Sequence, residues 1–485
     1  MKRHLLKKEW ETYIQDYKNS GLSIVSWCQK QNLPVHQLYY WLKKLSPETE
    51  DQNYKIFYSL KNINFNNTKD NKQKYIYKII IYYMVFFSIL YTRNITIVNF
   101  ITIISFRSLA HYKMEVVKMS VNVEQVRLAN DEETYRKLNI HPTEPQPKED
   151  GMRTDGREGS FEWWYTDAEF EDGTTVVTTF YTKNHFDVLG PAWPTVHIDI
   201  THPDGTKTLM SSQEAKGSRI NAKKDICDVN INKSYLKYQD GQYILHFEEG
   251  YIKYHAVMTS KLPMWRPNTG HWFYGDQDEH FFAWFIAQPS ATIEATLTIG
   301  DKMIQLNGSG YHDHNWGNIG MEKLMNHWYW GRAKVDGFDI IACDIIAEKN
   351  YNYKRLPVFM LAKDGKIISD DQSLTKIQRE NIIEHPETKK FMDNHLIYLQ
   401  PISSFESFTV EFIRNRDIVS ISLLDNLDST EALIAKKSGA NPTYTRILGD
   451  VHLTHELNGV KKIYKAEGLW DQMFFGNNKY AIINN

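Results

Sequence analysis

The chain has 485 residues and a formal net charge of −2, and 42% of its residues are hydrophobic, 24% charged and 13% aromatic. The length predicts two to four domains, and the near-neutral charge by itself indicates no particular partner. The three cysteines are far apart in sequence, which argues against a disulfide framework or a zinc ribbon and favours a reducing compartment. The high aromatic content favours β structure with a ligand cavity.

The first predicted domain, residues 1–47, is basic and contains three predicted short helices, at residues 4–19, 23–31 and 35–45. A short second helix, a tight turn and a third helix with polar and basic side chains are typical of a helix-turn-helix. The side chains predicted to contact DNA are His36, Gln37, Tyr40, Lys43 and Lys44. A small helical bundle with a solvated basic face is the alternative.

This first domain resembles the N-terminus of insertion-sequence accessory proteins of the TnpA type. The resemblance rests on Trp10, the run Tyr17–Ser23, the pair Trp27-Cys28 and the run Leu38–Leu45. It is confined to this segment, and it implies binding to the DNA ends of a transposon.

The next segment, residues 48–119, is a low-information junction rich in Ile, Tyr, Asn, Lys and Phe, without a helical or alternating period. Its longest apolar run, Ile79–Tyr91, is shorter than the roughly 20 residues that span a membrane. Three interpretations stay open: a disordered linker or buried helix, an imperfect membrane helix, or a transposon reading frame fused to a downstream gene that began at Met114 or Met119. We expect a cytoplasmic protein, with membrane association through this run as the alternative.

The remainder of the chain, residues 120–485, carries the signals of β structure. Six dipeptides that can adopt positive φ mark predicted turns: Asp172-Gly173, Asp204-Gly205, Asp240-Gly241, Asp336-Gly337, Asp364-Gly365 and Asn458-Gly459. Six runs between them are predicted strands: Thr174–Thr182, Thr195–Ile200, Tyr243–Phe247, Phe281–Ala287, Phe338–Ile346 and Val358–Ala362. Residues 292–299 alternate between polar and apolar side chains, which predicts one solvated and one buried face.

The best helical patterns of this region are Ile377–Ile383 and Glu387–His395. So many closely spaced strands exceed one small barrel, and they predict a mainly β fold with two barrel or sandwich units side by side.

The segment Gly308–Gly317 places two imidazoles, a carboxylate, a phenol and an indole between glycines. Such a dense group of titratable and aromatic side chains is typical of the lining of a site. Among its potential metal ligands only His312 and His314 share a face of a strand, and no further pair follows at ligand spacing, so we predict no metal. Without a phosphate-binding glycine loop or a nucleophile elbow, we also predict no nucleotide chemistry and no serine triad.

A second cluster is Phe161–Tyr165. An extended backbone there places Glu162 and Trp164 on one face and Trp163 and Tyr165 on the other. The functional interpretation is a carboxylate beside an indole in a pocket, where poor solvation raises the pKa of the carboxyl group. The alternative is an aromatic plug that closes a barrel.

A third cluster, His327–Arg332, adds Trp328 and Trp330. A pocket lined by indole rings stabilises a transient cation by about 0.5–2 kcal/mol per ring, and it keeps a carboxylic acid neutral. Together with Asp313, these rings predict acid–base chemistry such as protonation of an alkene. A purely structural aromatic core is the alternative.

The three clusters, in this order, resemble the signature motifs of the hydroxyneurosporene synthase (CrtC-type carotenoid hydratase) and AttH-like family. The resemblance covers most of residues 150–485 and implies two consecutive lipocalin-like domains, here residues 120–318 and 319–485, with a cavity near their junction. It also implies addition of water to a terminal isoprenoid double bond without an organic cofactor. Relatives in the wider superfamily include pericyclases of the Diels–Alderase type.

Carried over by position, His314 and Trp316 match the His-x-Trp pair implied for the hydratase site. Asp344 matches the acid of a Tyr-x-Asp pair, but Ala342 stands where the family has tyrosine. The predicted catalytic residues are Asp313, His314, Trp316 and Asp344. The predicted substrate-binding residues are Glu162, Trp164, Tyr165, Tyr311, Trp328 and Trp330.

We therefore expect hydration of an apolar isoprenoid or polyene, with Asp344 or Asp313 as proton donor and His314 positioning the water. A cofactor-free cyclase or pericyclase acting on a polyketide or terpenoid is the main alternative. A carrier of a hydrophobic molecule and DNA binding through residues 1–47 are the others.

Overall fold

The computed structural model describes residues 7–20, scattered positions between 27 and 42, and residues 125–183, 187–426 and 441–475. The chain divides into two compact units, Met1–Lys118 and Met119–Asn485. The predicted junction at 48–119 lies outside the described residues. Within the described part of the chain, no helix has the length and apolarity needed to cross a bilayer.

The first unit contains the helix α1 (Lys7–Ser20), as the sequence predicted. Trp10, Tyr17, Trp27 and Leu38 are buried together in its small core. Of the residues predicted to contact DNA, Gln37 is half-buried in a helical segment. The others, His36, Tyr40, Lys43 and Lys44, lie outside the described residues, so DNA binding stays a prediction.

The second unit consists mainly of curled antiparallel sheets, which confirms the predicted mainly β, lipocalin-like fold class. The α-helices among its described residues are α2 (Glu132–Leu138) and α3 (Met321–Leu324). The first sheet comprises β1 (Val126–Leu128), β2 (Phe161–Phe170), β3 (Thr175–Tyr181), β4 (Thr195–Thr201), β5 (Lys207–Gln213), β6 (Asn221–Ala222), β7 (Asp228–Ile231), β8 (Ser234–Gln239), β9 (Gln242–Glu249), β10 (Ile252–Ser260), β11 (His271–Tyr274), β12 (His280–Ile299) and β13 (Lys302–Gly317). Its strands follow the order β5-β4-β3-β2-β13-β12-β10-β9-β8-β7-β6, and β11 joins β1 to β12.

The second sheet comprises β14 (Met325–Val335), β15 (Phe338–Ala347), β16 (Arg355–Lys363), β17 (Lys366–Ser369), β18 (Lys376–Glu384), β19 (Phe391–Pro401), β20 (Glu406–Ser422), β21 (Thr443–Leu457) and β22 (Val460–Phe474). Their order is β17-β16-β15-β14-β22-β21-β20-β19-β18. The chain passes from the first sheet to the second between Gly317 and Met325.

Both sheets curl. In the first sheet, the edge strand β5 meets β9, where Ser212 Oγ donates to Glu249 Oε2 at 2.5 Å. In the second sheet, β16 and β18 approach each other, and Arg355 Nη1 donates to the carbonyl of Ile377 at 3.1 Å. Curling brings the apolar faces inward, because each face of an antiparallel strand carries every second side chain.

All six predicted hairpin dipeptides form turns with glycine at positive φ. At Asp240-Gly241, for example, both φ angles are positive, at 53° and 83°, which matches the twist of the flanking strands. Five of the six predicted strand runs fall within strands, and the sixth, Thr174–Thr182, extends one residue beyond β3 at each end. Residues 292–299 alternate as expected, with Ile293 and Leu297 buried and Glu294 exposed.

The two predicted helical patterns are wrong. Ile377–Ile383 lies in β18, and Glu387–His395 overlaps β19. These strands pair with each other from Lys376 opposite Leu399 to Glu384 opposite Phe391. The local sequence pattern of these segments fits a helix as well as a strand. Cross-strand pairing therefore decides their conformation.

Candidate active site in a cavity between the sheets

The register of β2 and β13 creates one face that turns towards the second sheet. Tyr165 pairs with Asp313, and Trp163 pairs with Asn315, so these four side chains lie on the same face. The intervening residues of each strand point the other way. The two residues of Phe161–Tyr165 predicted to share this face, Trp163 and Tyr165, do so.

Asp313 is buried, and three side chains donate hydrogen bonds to its carboxylate. Trp284 Nε1 and Tyr311 Oη donate to Oδ2 at 2.8 and 2.7 Å. Asn315 Nδ2 donates to Oδ1 at 2.8 Å. Burial raises the pKa of Asp313 to about 6, although the three donors favour the ionised form and oppose that shift.

The second sheet supplies the opposite wall through alternate residues of β14, β15 and β22. Trp330 pairs with Cys343 on one side and with Asp471 on the other, and all three share a face. Trp328 and Ile345 pair in the same way further along the sheet.

Asp471 is a buried acid of this wall, with 8% of its surface exposed. Tyr444 Oη donates to its Oδ2 at 3.2 Å, whereas Oδ1 has no hydrogen-bond partner in the described structure. Burial raises the pKa of Asp471 to about 7, against the opposing charge of Arg446. The carboxyl group is therefore partly neutral at physiological pH.

The two walls border an open cavity of about 340 Å³. Its lining comprises Trp163, Tyr165, Val177, Thr179, Tyr181, Phe282, Trp284, Asp313, Asn315, Met321, Trp328, Trp330, Cys343, Ile345, Leu423, Tyr444, Asp471 and Met473. The surface is mainly aromatic and aliphatic, with few polar groups, as in pockets for apolar ligands.

Of the residues that the sequence singled out, Asp313, Tyr165, Trp328 and Trp330 line this cavity. Tyr311, two residues before Asp313 on the same face of β13, is not part of the lining but donates a hydrogen bond to Asp313.

The other predicted catalytic residues lie outside it. His314 and Trp316 are on the face of β13 opposite Asp313, because adjacent residues of a strand point apart. For the same reason Asp344 lies behind the wall that Cys343 and Ile345 form. It is completely buried, its Oδ1 lies 3.1 Å from Arg355 Nε, and burial raises its pKa.

The predicted substrate-binding residues Glu162 and Trp164 also face away from the cavity, in the interior of the first sheet. Glu162 Oε1 lies 2.7 Å from His314 Nε2 and accepts a hydrogen bond from the backbone N–H of Arg153 at 2.6 Å. The ring of Trp164 stacks on that of His314, with 4.5 Å between centroids.

Asp150 completes this interior cluster. Burial by itself raises the pKa of Asp150, but the neighbouring His312 and His314 more than offset that effect and lower it overall. Burial likewise lowers the pKa of His314, but the carboxylates of Asp150 and Glu162 raise it above its ordinary value.

Trp316 lines a second cavity, of about 240 Å³. Arg153 and His271 also border this cavity, and the Arg153 guanidinium lies 6.0 Å from the centre of the Trp316 ring. Burial lowers the pKa of His271 to about 4. Trp316 therefore lies beside a cation and a neutral imidazole rather than beside Asp313.

Asp471 is the main cavity residue that the sequence interpretation missed. Its only local signal is alternation with Leu469 and Met473, which places it on one face of β22. Trp163, Trp284 and Tyr444 were missed as well, because their shared location depends on the arrangement of the sheets.

Fold and site together define a mainly β protein with two curled antiparallel sheets and an aromatic cavity that holds buried acids. Comparison with known families matches residues 129–392 to the family described as Diels-Alderase-like. The match covers more than half of the chain, so the chain belongs to the Diels-Alderase-like family.

Individual relatives match more locally. The chain is 31% identical over 83 residues to a quinolone epoxide rearrangement protein of Penicillium thymicola, covering 17% of this chain and 22% of that protein. It is 25% identical over 214 residues to a hydroxyneurosporene dehydrogenase of Chlorobaculum tepidum, covering 38% and 56%. The matched segments thus span less than two thirds of either relative. A solved structure of a protein assigned as AttH from Nitrosomonas europaea covers 69% of this chain and 98% of its own, with 14% identity and a TM-score of 0.48.

Proposed function

We propose that the protein binds an apolar polyene or isoprenoid in the cavity between the sheets and adds water to a carbon–carbon double bond without an organic cofactor. The observation that carries this proposal is the pair of buried carboxyl groups, Asp313 and Asp471, in a cavity walled by aromatic rings. The local similarity to a hydroxyneurosporene dehydrogenase supports an isoprenoid substrate.

Asp471 is the proposed proton donor. A carboxyl group with a pKa of about 7 is partly neutral at physiological pH, and its proton can be transferred to one carbon of an alkene. The other carbon then carries a positive charge. The indole rings of Trp328 and Trp330 stabilise that charge by about 0.5–2 kcal/mol each.

Asp313 is the proposed base. With a pKa of about 6 it is mainly ionised at neutral pH, and its three donors hold it in place. A water molecule attacks the cation and transfers a proton to Asp313. The product has gained one water, Asp471 is left ionised and Asp313 protonated, and proton exchange with solvent restores both groups. Asp471 thereby takes the role that the sequence assigned to Asp344 or Asp313.

The cavity volume bears on the size of the substrate. About 340 Å³ lies near the lower end of the roughly 300–1,000 Å³ typical of ligand pockets. We therefore propose that the cavity takes the reacting end of a long polyene, or a short isoprenoid as a whole.

A cofactor-free cyclisation or rearrangement is the second candidate. Family membership and the 31% identity to a quinolone epoxide rearrangement protein favour it. The same two acids can protonate an epoxide oxygen and remove a proton after rearrangement, so the candidates differ in substrate rather than in catalytic groups.

The test is incubation of the full chain with lycopene-like polyenes and short isoprenoids, followed by mass spectrometry. Hydration increases the product mass by one water, whereas cyclisation leaves the mass unchanged and alters the chromatographic retention. We expect Asp471→Asn to lower the rate by roughly 10²–10⁴-fold.

Asp344→Asn is the matched control, since it also replaces a buried acid of the second sheet but lies behind the cavity wall. Equal loss of activity in both folded variants would contradict the assignment. Ligand binding without turnover of any of these substrates by the native protein would contradict catalysis and favour a carrier.

A further inference from the structure

A cluster of metal-ligand side chains lies on the face of β13 that points away from the cavity. Asp150, Cys227 and His312 are all completely buried there. A carboxylate oxygen, the thiol sulfur and an imidazole nitrogen of these residues all lie within 4.8 Å of one another. None of the three takes part in the proposed acid–base reaction.

The hydrogen bonds of His312 orient its ring. Its Nδ1 lies 2.8 Å from the carbonyl oxygen of Tyr165, which can only accept, so Nδ1 carries a hydrogen. Its Nε2 lies 3.0 Å from Asp150 Oδ2. A neutral His312 therefore directs the Nε2 lone pair at a carboxylate, an arrangement that requires a proton or a cation between them.

His314 repeats this pattern from the other side of Asp150. Its Nε2 lies 2.7 Å from Glu162 Oε1, and Glu162 already accepts the backbone N–H groups of Arg153 and Thr154, so the imidazole donates. Its Nδ1 lies 3.3 Å from Asp150 Oδ1. Both of these buried atoms lack a hydrogen-bond partner in the described structure.

Histidines that bind metals typically have one ring nitrogen held by a carbonyl or carboxylate and the other directed at the ion. Both imidazoles meet that description, and Cys227 adds a thiol. A mixed set of nitrogen, sulfur and carboxylate ligands is one that Zn²⁺ accepts.

We propose that Asp150, Cys227 and His312 bind a structural zinc ion. The Nδ1 of His314 lies 3.3 Å from Asp150 Oδ1 but outside this group of three, so its ring would have to shift to complete a tetrahedral site. Zinc binding would displace the Cys227 thiol proton to solvent, and His312 Nε2 and the Asp150 carboxylate would then hold the metal instead of a shared proton. The ion would link the segment before β2, the loop before β7 and strand β13. Because the ligands are completely buried, the metal enters during folding. This proposal is independent of the reaction in the cavity.

The experiment is refolding of the full chain with Zn²⁺ or Co²⁺, removal of free metal and measurement of the bound metal. We expect stoichiometric zinc, and a thiolate-to-cobalt charge-transfer absorption in the cobalt form. Cys227→Ser is expected to lose that absorption and most of the metal. Cys343→Ser, which replaces a buried cysteine of the second sheet, is expected to retain both.

A native protein that regains its β-sheet circular dichroism but holds neither metal would overturn the proposal, and would show that protons occupy the cluster instead. Retention of the cobalt absorption by Cys227→Ser would overturn it as well. If Cys227→Ser fails to fold, the cobalt spectrum of the native chain decides alone: the thiolate absorption supports the site, and its absence refutes it.

Discussion

Asp471 and Asp313 have neighbouring pKa values but are proposed to act in opposite protonation states. Asp471 must be protonated to act as an acid, so activity falls as the pH rises through about 7. Asp313 must be ionised to act as a base, so activity falls as the pH drops through about 6. We expect a bell-shaped profile of kcat/KM with its maximum between these values.

The variants separate the two limbs of this profile. The residual activity of Asp471→Asn is expected to lose the alkaline limb, and that of Asp313→Asn the acidic limb. A profile of Asp471→Asn with the same alkaline limb as the native protein would assign that pKa to another group.

At the scale of single residues, the sequence indicated which kinds of side chain form a site more reliably than it indicated the side of the sheet to which each side chain points. Asp313 was placed in a site because of its aromatic neighbours, and it does line the cavity. Asp344 was inferred from its match to the acid of the family's Tyr-x-Asp pair, but the pleat turns it behind the wall. A shift of one residue reverses the face, and no local property of Asp344 reveals its side of the sheet.

Among the elements, α2 depends on its N-terminal cap. The Asp131 carboxylate accepts the backbone N–H of Thr134 at 2.9 Å and lies 2.8 Å from Arg127 Nη1. We expect Asp131→Ala to destabilise the protein by about 1 kcal/mol in urea unfolding. Asp131→Asn is the control, because it keeps the cap and loses only the charge; an equal cost in both variants would assign the effect to the ion pair.

The same cap has a defined pH dependence. Hydrogen bonds from Thr134 and Arg127 lower the pKa of Asp131 to about 2 from an ordinary value near 3.8. Its stabilising contribution is therefore complete above the ordinary value and is lost as the pH falls towards 2.

Turns and strands were predictable because their signals are local. Positive φ favours Gly, Asn or Asp, and half-buried strands alternate between apolar and polar side chains, so the hairpin positions could be predicted from the sequence. The strands β18 and β19 were mistaken for helices because the partner of each strand decides its conformation. Strand order in either sheet has no local signal.

At the scale of the whole molecule, ion pairs connect the two sheets. Arg332 of β14 contacts Asp167 of β2, and its Nη2 lies 3.0 Å from Glu169 Oε1. Both Arg332 and Asp167 are buried. We expect Asp167→Leu to destabilise the protein by roughly 3–5 kcal/mol, because it leaves a buried cation without its main partner.

The double variant Asp167→Leu/Arg332→Met is the control for this pair. It removes both charges, and we expect it to recover most of the lost free energy of unfolding. If the double variant instead loses as much free energy of unfolding as the two single variants together, the pair is not coupled.

The division of the chain into two compact units predicts the effect of truncation. A fragment of residues 119–485 contains both sheets and the complete cavity lining. We expect it to keep the unfolding midpoint and turnover of the full chain, as measured by circular dichroism and the mass-spectrometric assay. A fragment that aggregates or loses turnover would assign a necessary role to residues 1–118.

The cavity takes one acid from each sheet, but the aliphatic part of its lining comes largely from the second. Cys343, Ile345 and Met473 contribute bulk to that wall, and the hydrogen bonds that hold Asp313 come from elsewhere. Exchanges among side chains of different size at these three positions can therefore alter which molecules fit while the proton-transferring groups stay in place. Related proteins with this fold can therefore change their substrate specificity before their reaction changes.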